Sequence, residues 1–243
     1  MKKIFILIII LFAKISTAET TEAILKKIDS NMRYKSIKYT GIMEINKHHR
    51  RKKIKTFTAI IKGTDKAFIE FINPEDRGTK FLKLGDELWI KGAFAEQADK
   101  ISGHLLKNSL MGSDFSYEDT MENESLNTLY KSKIIGEEKI NNHMCYKLEL
   151  TAKKKKISYP KLIIWADKEK YIILKEQFFA LSGLLLKEMS VLKVKKINNK
   201  YIPVKIKMEN KQRKNSYTIL KMKNISVNQK ISDRVFSKRN LEK

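Results

Sequence analysis

Turn-forming residues recur at short joints along this chain: Gly85-Asp86, Asn141-Asn142, Asp167-Lys168, Ser182-Gly183 and Asn198-Asn199. Glycine, asparagine and aspartate tolerate the backbone geometry that reverses a strand within two residues. The stretches between the joints alternate. SIKYTGIMEI puts Ile37, Tyr39, Met43 and Ile45 on one face, with Gly41 permitting a bend. IKTFTAIIK, DKAFIEFI, TKFLKL and ELWI follow, the last two as a hairpin through Gly85-Asp86. Beyond residue 129 come YKSKIIGEEKI, MCYKLELTA, YPKLIIWA, YIILKEQFFAL, LLLKEMSVLKVKKI, YIPVKIKME and NSYTILKMKNISV. The count is about eleven or twelve strands, in one antiparallel barrel or strongly curved sheet. No linker or shift in composition divides the chain, so a single domain is expected over residues 19–243.

Residues 1–18 read differently. Lys2 and Lys3 precede an apolar run from Ile4 to Ala13, and Ser16 and Ala18 occupy the small-residue positions of a cleavage site. This is the pattern of a secretory signal peptide cut after Ala18, and the run is short for a membrane span. An uncleaved anchor is the alternative. The expected location of the mature chain is the periplasm, in soluble form.

The amphipathic stretch Glu19 to Met32 predicts one helix, with Ile24, Ile28 and Met32 four residues apart, Leu25 beside them, and Thr20 or Thr21 as cap. Its apolar stripe needs a surface to cover. Cys145 is the only cysteine, which leaves no internal disulfide and reads as a small, half-buried strand residue.

The formal charge is +24, carried mostly by lysine. Nucleic-acid readers lean on arginine for bidentate contacts, so a nucleic-acid partner is not expected. Weak attraction to anionic lipid, as transient membrane contact, is. His48 and His49 stand in a basic turn, and His104 and His143 are isolated. No Ser-His-Asp arrangement, metal-ligand spacing or phosphate loop is present, so no catalytic, metal or cofactor site is expected and the chain does not read as an enzyme.

Residues 103–127 break the alternation. Leu105, Leu106, Leu110 and Met111 form an apolar patch, followed by the acids Asp114, Glu118 and Asp119. A calcium loop needs ligands at alternating positions, and Phe115 and Tyr117 stand where ligands belong. The spacing suits a capped turn better: Ser113 or Asp114 caps free amides, while Glu118 and Asp119 face the positive end of a short helix. A metal or acid-pair role is the rival reading.

GTKFLKLGDELWI, ISG, SLMGSDFSYED, LIIWADKEKYIILKEQFFALSGLLLK, YIPVKIKMEN and VFSKRNLE together resemble the exported outer-membrane lipoprotein-sorting proteins, within the LolA/LolB-like superfamily of lipoprotein carriers. The motif that carries most of the likeness is Met111-Gly112-Ser113-Asp114-Phe115-Ser116-Tyr117-Glu118-Asp119. Asp99-Lys100 departs from the arginine pair of that family. The resemblance implies a mainly β fold: one curved antiparallel sheet forming a half-open β-barrel, its concave face covered by helices. It implies a periplasmic carrier that holds lipid or lipoprotein acyl chains in an apolar cavity under a lid, and it places the 111–119 motif in that lid, anchoring it to the sheet. The alternative is an envelope interaction protein, either a lipoprotein sensor or the periplasmic accessory of a lipid-exporting inner-membrane transporter. Trp89, Phe94, Leu105, Leu106, Leu110 and Met111 are expected at the cavity mouth, and Phe178 and Met189 on its floor. Met43, Met111, Met189 and Met208 suit such a pocket because thioether side chains adapt to their contents.

Overall fold

The computed structural model describes residues 19–243 other than 122, 123 and 156. The expected signal peptide lies outside the described residues. Helix α1 (Thr21–Met32) opens the chain, with the Thr20 hydroxyl accepting from the Ala23 amide at 3.3 Å. Six strands follow: β1 (Ser36–Asn46), β2 (Lys53–Lys62), β3 (Lys66–Phe71), β4 (Lys80–Leu84), β5 (Glu87–Lys91) and β6 (Asp99–Ile101). After the non-alternating segment and the short α2 (Leu126–Leu129) come β7 (Tyr130–Ile140), β8 (His143–Ala152), β9 (Lys161–Asp167), β10 (Ile173–Phe179), β11 (Leu185–Ile197), β12 (Lys200–Asn210) and β13 (Tyr217–Val227), and then α3 (Lys238–Glu242).

All thirteen strands form one open antiparallel sheet in the order β6-β5-β4-β3-β2-β1-β13-β12-β11-β10-β9-β8-β7. Two meanders are thus joined at a seam, where β1 pairs with β13 from Ile37↔Val227 to Asn46↔Tyr217. The turns behave as their residues dictate. Asn141-Asn142 and Asn198-Asn199 have positive φ at both positions, the geometry that matches strand twist in a two-residue hairpin. The extra strand beyond the expected count is the three-residue β6.

Alternation then sorts the side chains. The inner face carries two clusters, one around Phe57, Phe71, Phe81 and Met43, the other around Leu148, Leu150, Leu162 and Ile164. Ile24, Leu25 and Ile28 of α1 are wholly buried in the second. Helix α1 touches both β12 and β7, which stand five strands apart. Laid flat, that separation is about 24 Å at ~4.8 Å per strand, twice the ~10–12 Å width of a helix. The sheet therefore curls around α1, and the helix is what the curl is built on.

One expectation gains a second reason and one needs correction. A Cβ at Gly41 would sit 2.2 Å from Cζ of Phe57, so the glycine makes room for that ring to lie across β1. Cys145 is not half-buried but fully buried, in a cluster with Trp165, Leu174 and Val191, and burial pushes its thiol up to about 11. Such a thiol stays protonated and inert.

Candidate functional site

Strands β6 and β7 are the two opposite edges of the sheet, and residues 102–129 connect them. This segment is a strap that crosses the inner face. Leu106, Leu110, Met111, Tyr117 and Met121 pack on the Phe57–Phe81 cluster, and Phe115 and Leu126 on the α1 cluster. The Tyr117 and Phe81 rings lie 5.8 Å apart.

Two acids hold the strap down. The Asp114 side chain has no solvent exposure. It accepts from Lys47 Nζ at 2.6 Å, Ser216 Oγ at 2.6 Å and Thr218 Oγ1 at 2.7 Å, while its own amide donates to Thr218 Oγ1 at 2.9 Å. A buried charge survives only when paired and hydrogen-bonded in this way. Asp119 accepts from Lys187 Nζ at 2.8 Å, the Tyr159 hydroxyl at 2.6 Å and the Ser116 amide at 2.7 Å. Burial and the Asp119 charge push the Tyr159 hydroxyl far above the usual phenol range. The capped-turn reading thus needs amendment. Ser113 does cap the Phe115 amide at 3.2 Å, but Asp114 turns away from the backbone of its own turn to grip β13 and the start of the β1–β2 turn. Glu118 and Asp119 do open a short 3-10 turn. Among the described residues, no three His, Cys, Asp or Glu side chains gather into a metal site.

The strap does not cover the whole inner face. Where α1 ends, a cavity of about 360 Å³ remains between the helix end and the sheet. Ile37, Tyr39, Met189, Val191, Ile202 and Met222 line it, with Met32, Arg33, Tyr34 and Glu176 beside them. Tyr39 is 9 % exposed, and burial alone raises its hydroxyl to about 12; no hydrogen bond holds that group among the described residues. The cavity is a largely apolar slot, and the Tyr39 hydroxyl on its wall has no hydrogen-bond partner among the described residues.

The expected site residues fall in different places. Met189 lines the cavity. Leu106, Leu110 and Met111 are strap residues packed against the inner face, Phe178 is buried under Tyr159 at a ring separation of 4.8 Å, and Leu105 is exposed at 41 %. None of these five lines the cavity. Trp89 is on the other side of the sheet: register pairs it with Leu82 and Leu82 with Phe68, and all three lie under Phe236 and Leu241 of the C-terminal segment. Lys238 Nζ stacks 3.6 Å from the Trp89 ring centroid. Phe94 is wholly exposed in the β5–β6 turn. The residues that sequence reasoning missed, Met32 to Tyr34 with Ile37 and Tyr39, follow directly on α1. Met32 was expected on the buried helix face and instead reaches the cavity, 60 % exposed. The available signal was the helix stripe running out at Met32 before β1 begins.

Comparison with known structures matches this architecture. A DUF1329 family protein from Desulfovibrio piger superposes with a TM-score of 0.84 at 24% identity, over 90% of this chain and 97% of that one. A domain assigned to the outer-membrane lipoprotein-sorting proteins, from Vibrio parahaemolyticus, gives 0.81 at 23% identity over 91% and 98%. A LolA superfamily protein from Nitrosomonas europaea gives 0.77 at 20% identity over 92% and 100%. At these identities the likeness is one of fold. No curated protein matches the sequence significantly. A family model described as "Uncharacterized protein" matches residues 63–243. The chain belongs to that family, and it has the fold of the LolA superfamily and the outer-membrane lipoprotein-sorting proteins.

Proposed function

We propose that this protein is a periplasmic carrier of lipid or lipoprotein acyl chains, exported by the segment ending at Ala18. The observation that carries the reading is the cavity at the end of α1, apolar on its walls and left open by the strap. Its 360 Å³ falls in the range of small-ligand sites, about 300–1,000 Å³. At ~30 Å³ per water, and with a methylene of similar size, it takes about twelve carbons of one chain. Transfer of each CH₂ from water stabilises the complex by about 0.8 kcal/mol, so twelve contribute roughly 10 kcal/mol relative to water. Relative to a bilayer the gain is near zero, because lipid is equally apolar. That balance suits a carrier, which has to release what it takes up. The Tyr39 hydroxyl offers one donor to an ester or amide oxygen entering the slot. The fold of the superposed proteins is compatible with this reading. Among the described residues, no helix is long and apolar enough to cross a membrane.

Native mass spectrometry of the mature chain with lipid extraction tests the proposal. Wild-type protein is expected to retain an acyl lipid. Met222→Trp, which fills the slot, is expected to lose it with an unchanged or higher melting temperature. Tyr34→Trp places a fluorophore at the slot, where Trp89 cannot report from the outer face. Failure of the wild type to bind any lipid or lipopeptide would defeat the carrier reading in favour of a protein-interaction role.

A further inference from the structure

Antiparallel pairing sends alternate turns to opposite rims of the sheet, and the two rims differ in charge. One rim carries the turns at 47–52, 72–79, 92–98, 153–160, 180–184 and 211–216. Their described residues hold eleven lysines and arginines against three acids. The other rim, with hairpin turns at 63–65, 85–86, 141–142, 168–172 and 198–199 and the connections at 33–35 and 228–232, holds five lysines and arginines and three acids. Lys47 spends its charge on Asp114. Arg50, Arg51, Lys155, Arg213 and Lys214 are exposed, and no ion pair engages them among the described residues.

The same rim carries an apolar tip. In the β10–β11 turn Leu181 is 89 % and Leu184 52 % exposed. The turn is fixed by the Gly183 amide donating to Ala180 O and the Ala180 amide donating to Leu184 O, both at 2.9 Å. The basic β12–β13 turn stands against it, with the Lys211 amide donating to Leu186 O at 2.8 Å and Gln212 Nε2 to Leu185 O at 2.6 Å. That turn encloses a hollow of about 530 Å³ walled by Lys207, Lys211, Arg213 and Lys214, with Glu209 pairing the first two.

We propose that this rim docks on an anionic phospholipid bilayer, with Leu181 and Leu184 entering the interfacial zone and the basic turns lying on the headgroups. Two leucines on one tip are too small an apolar surface for a stable protein interface, which needs about 800 Å² per partner. A bilayer requires no shape complement, accepts isolated apolar side chains between its headgroups, and attracts each nearby lysine or arginine. Diffuse cations around a small apolar point fit that occupant. The inference is independent of what fills the cavity. It has one geometric consequence: the cavity lies at the opposite rim, among Asn31 to Tyr34, Gly63, Thr64 and Tyr201, so the docked protein keeps its slot facing away from that membrane.

Vesicle co-sedimentation of the mature chain tests this. Phosphatidylglycerol mixed with phosphatidylethanolamine is expected to bind it, and phosphatidylcholine alone is not. Each removed rim charge is expected to weaken binding about fivefold, so Arg213→Ser with Lys214→Ser costs about 25-fold. Leu181→Ser with Leu184→Ser weakens binding while leaving the circular dichroism spectrum unchanged. In the Leu181→Trp variant, the emission of the introduced indole shifts to the blue on anionic vesicles. Lys139→Ser with Lys230→Ser removes equal charge at the opposite rim and leaves binding as it was. The proposal is overturned if anionic vesicles do not bind, as a protein partner for this rim would predict. It is equally overturned if the opposite-rim pair weakens binding as much as the rim pair, or if the emission of the Leu181→Trp variant stays fixed.

Discussion

The inner face of the sheet is closed at one end and open at the other, and β1 passes through both. At the closed end Met43 and Ile45 lie beneath the strap, near Asp114 with its three side-chain partners. At the open end Ile37 and Tyr39 look into the cavity, and the one polar group among them has no partner in the described residues. The difference lies in how each end is held. A buried charge network fixes one geometry, because partial loss leaves an unpaired charge in an apolar setting. Apolar walls impose no such demand, so contents can exchange. Specific polar anchoring marks the end that stays shut, and its absence marks the end that, on the proposed function, admits a guest.

Removing the principal anchor attacks this contrast most directly. Asp114→Ala leaves Lys47 facing a buried site without its counter-charge, and is expected to cost about 3–5 kcal/mol in denaturant unfolding. Hydrogen exchange in the strap should rise well before the α1 cluster opens. Uniform exchange across both would show that the anchor does not act locally. Gly41→Ala comes next, at the boundary between the two ends. Its Cβ meets the Phe57 ring, and the overpacking is expected to cost roughly 1–3 kcal/mol, recovered in large part by adding Phe57→Leu.

Glu118 gives a smaller effect, with a sign that pH reveals. Burial is the main reason its carboxyl is raised above the usual range, with Asp119 adding to it. A raised acid stabilises the fold below its unfolded pKa, and that contribution is lost as pH rises through the folded value. Glu118→Gln should therefore melt with the wild type in acid and slightly above it at neutral pH. A lower melting temperature for the variant at neutral pH would reverse the assignment. The smallest change is expected at the open end. Tyr39→Phe removes a hydroxyl that bonds nothing in the described fold, so stability should shift by less than about 0.5 kcal/mol. Its effect belongs to binding, where an acyl ester should be retained less well than by wild type.

Much of the fold was legible because it is written in turns. Gly85-Asp86, Asn141-Asn142 and Asn198-Asn199 each name a two-residue reversal, and alternation between them names the strands. The spacing of strands and turns pointed to a single barrel or strongly curved sheet, and the family resemblance narrowed that to a half-open one covered by helices. Local pattern says nothing about which strand lies beside which, and β1 meets β13 across nearly the whole chain. The cavity was the least legible part. Trp89 was placed at the mouth through the family resemblance, but a period of two puts it with Leu82 on the outer face, and only the register decides that. Asp114 looked like a cap because caps are local; its partners at Ser216 and Thr218 lie about a hundred residues away. Tyr39 and Ile37 alternate as ordinary core residues do. What sets them apart is where the helix above them stops.

The seam between β1 and β13 bears on how the molecule comes to exist. Each meander pairs neighbours in sequence, so either half forms its hairpins early and locally. The seam pairs Ile37 with Val227 and cannot begin until the final strand has emerged. Until then β1 and β12 are bare edges, two long templates inviting the wrong neighbour. The joining of the halves is therefore expected to be the slow, aggregation-exposed step of folding, and a chain truncated before Tyr217 should leave that edge unsatisfied even though the first twelve strands are present.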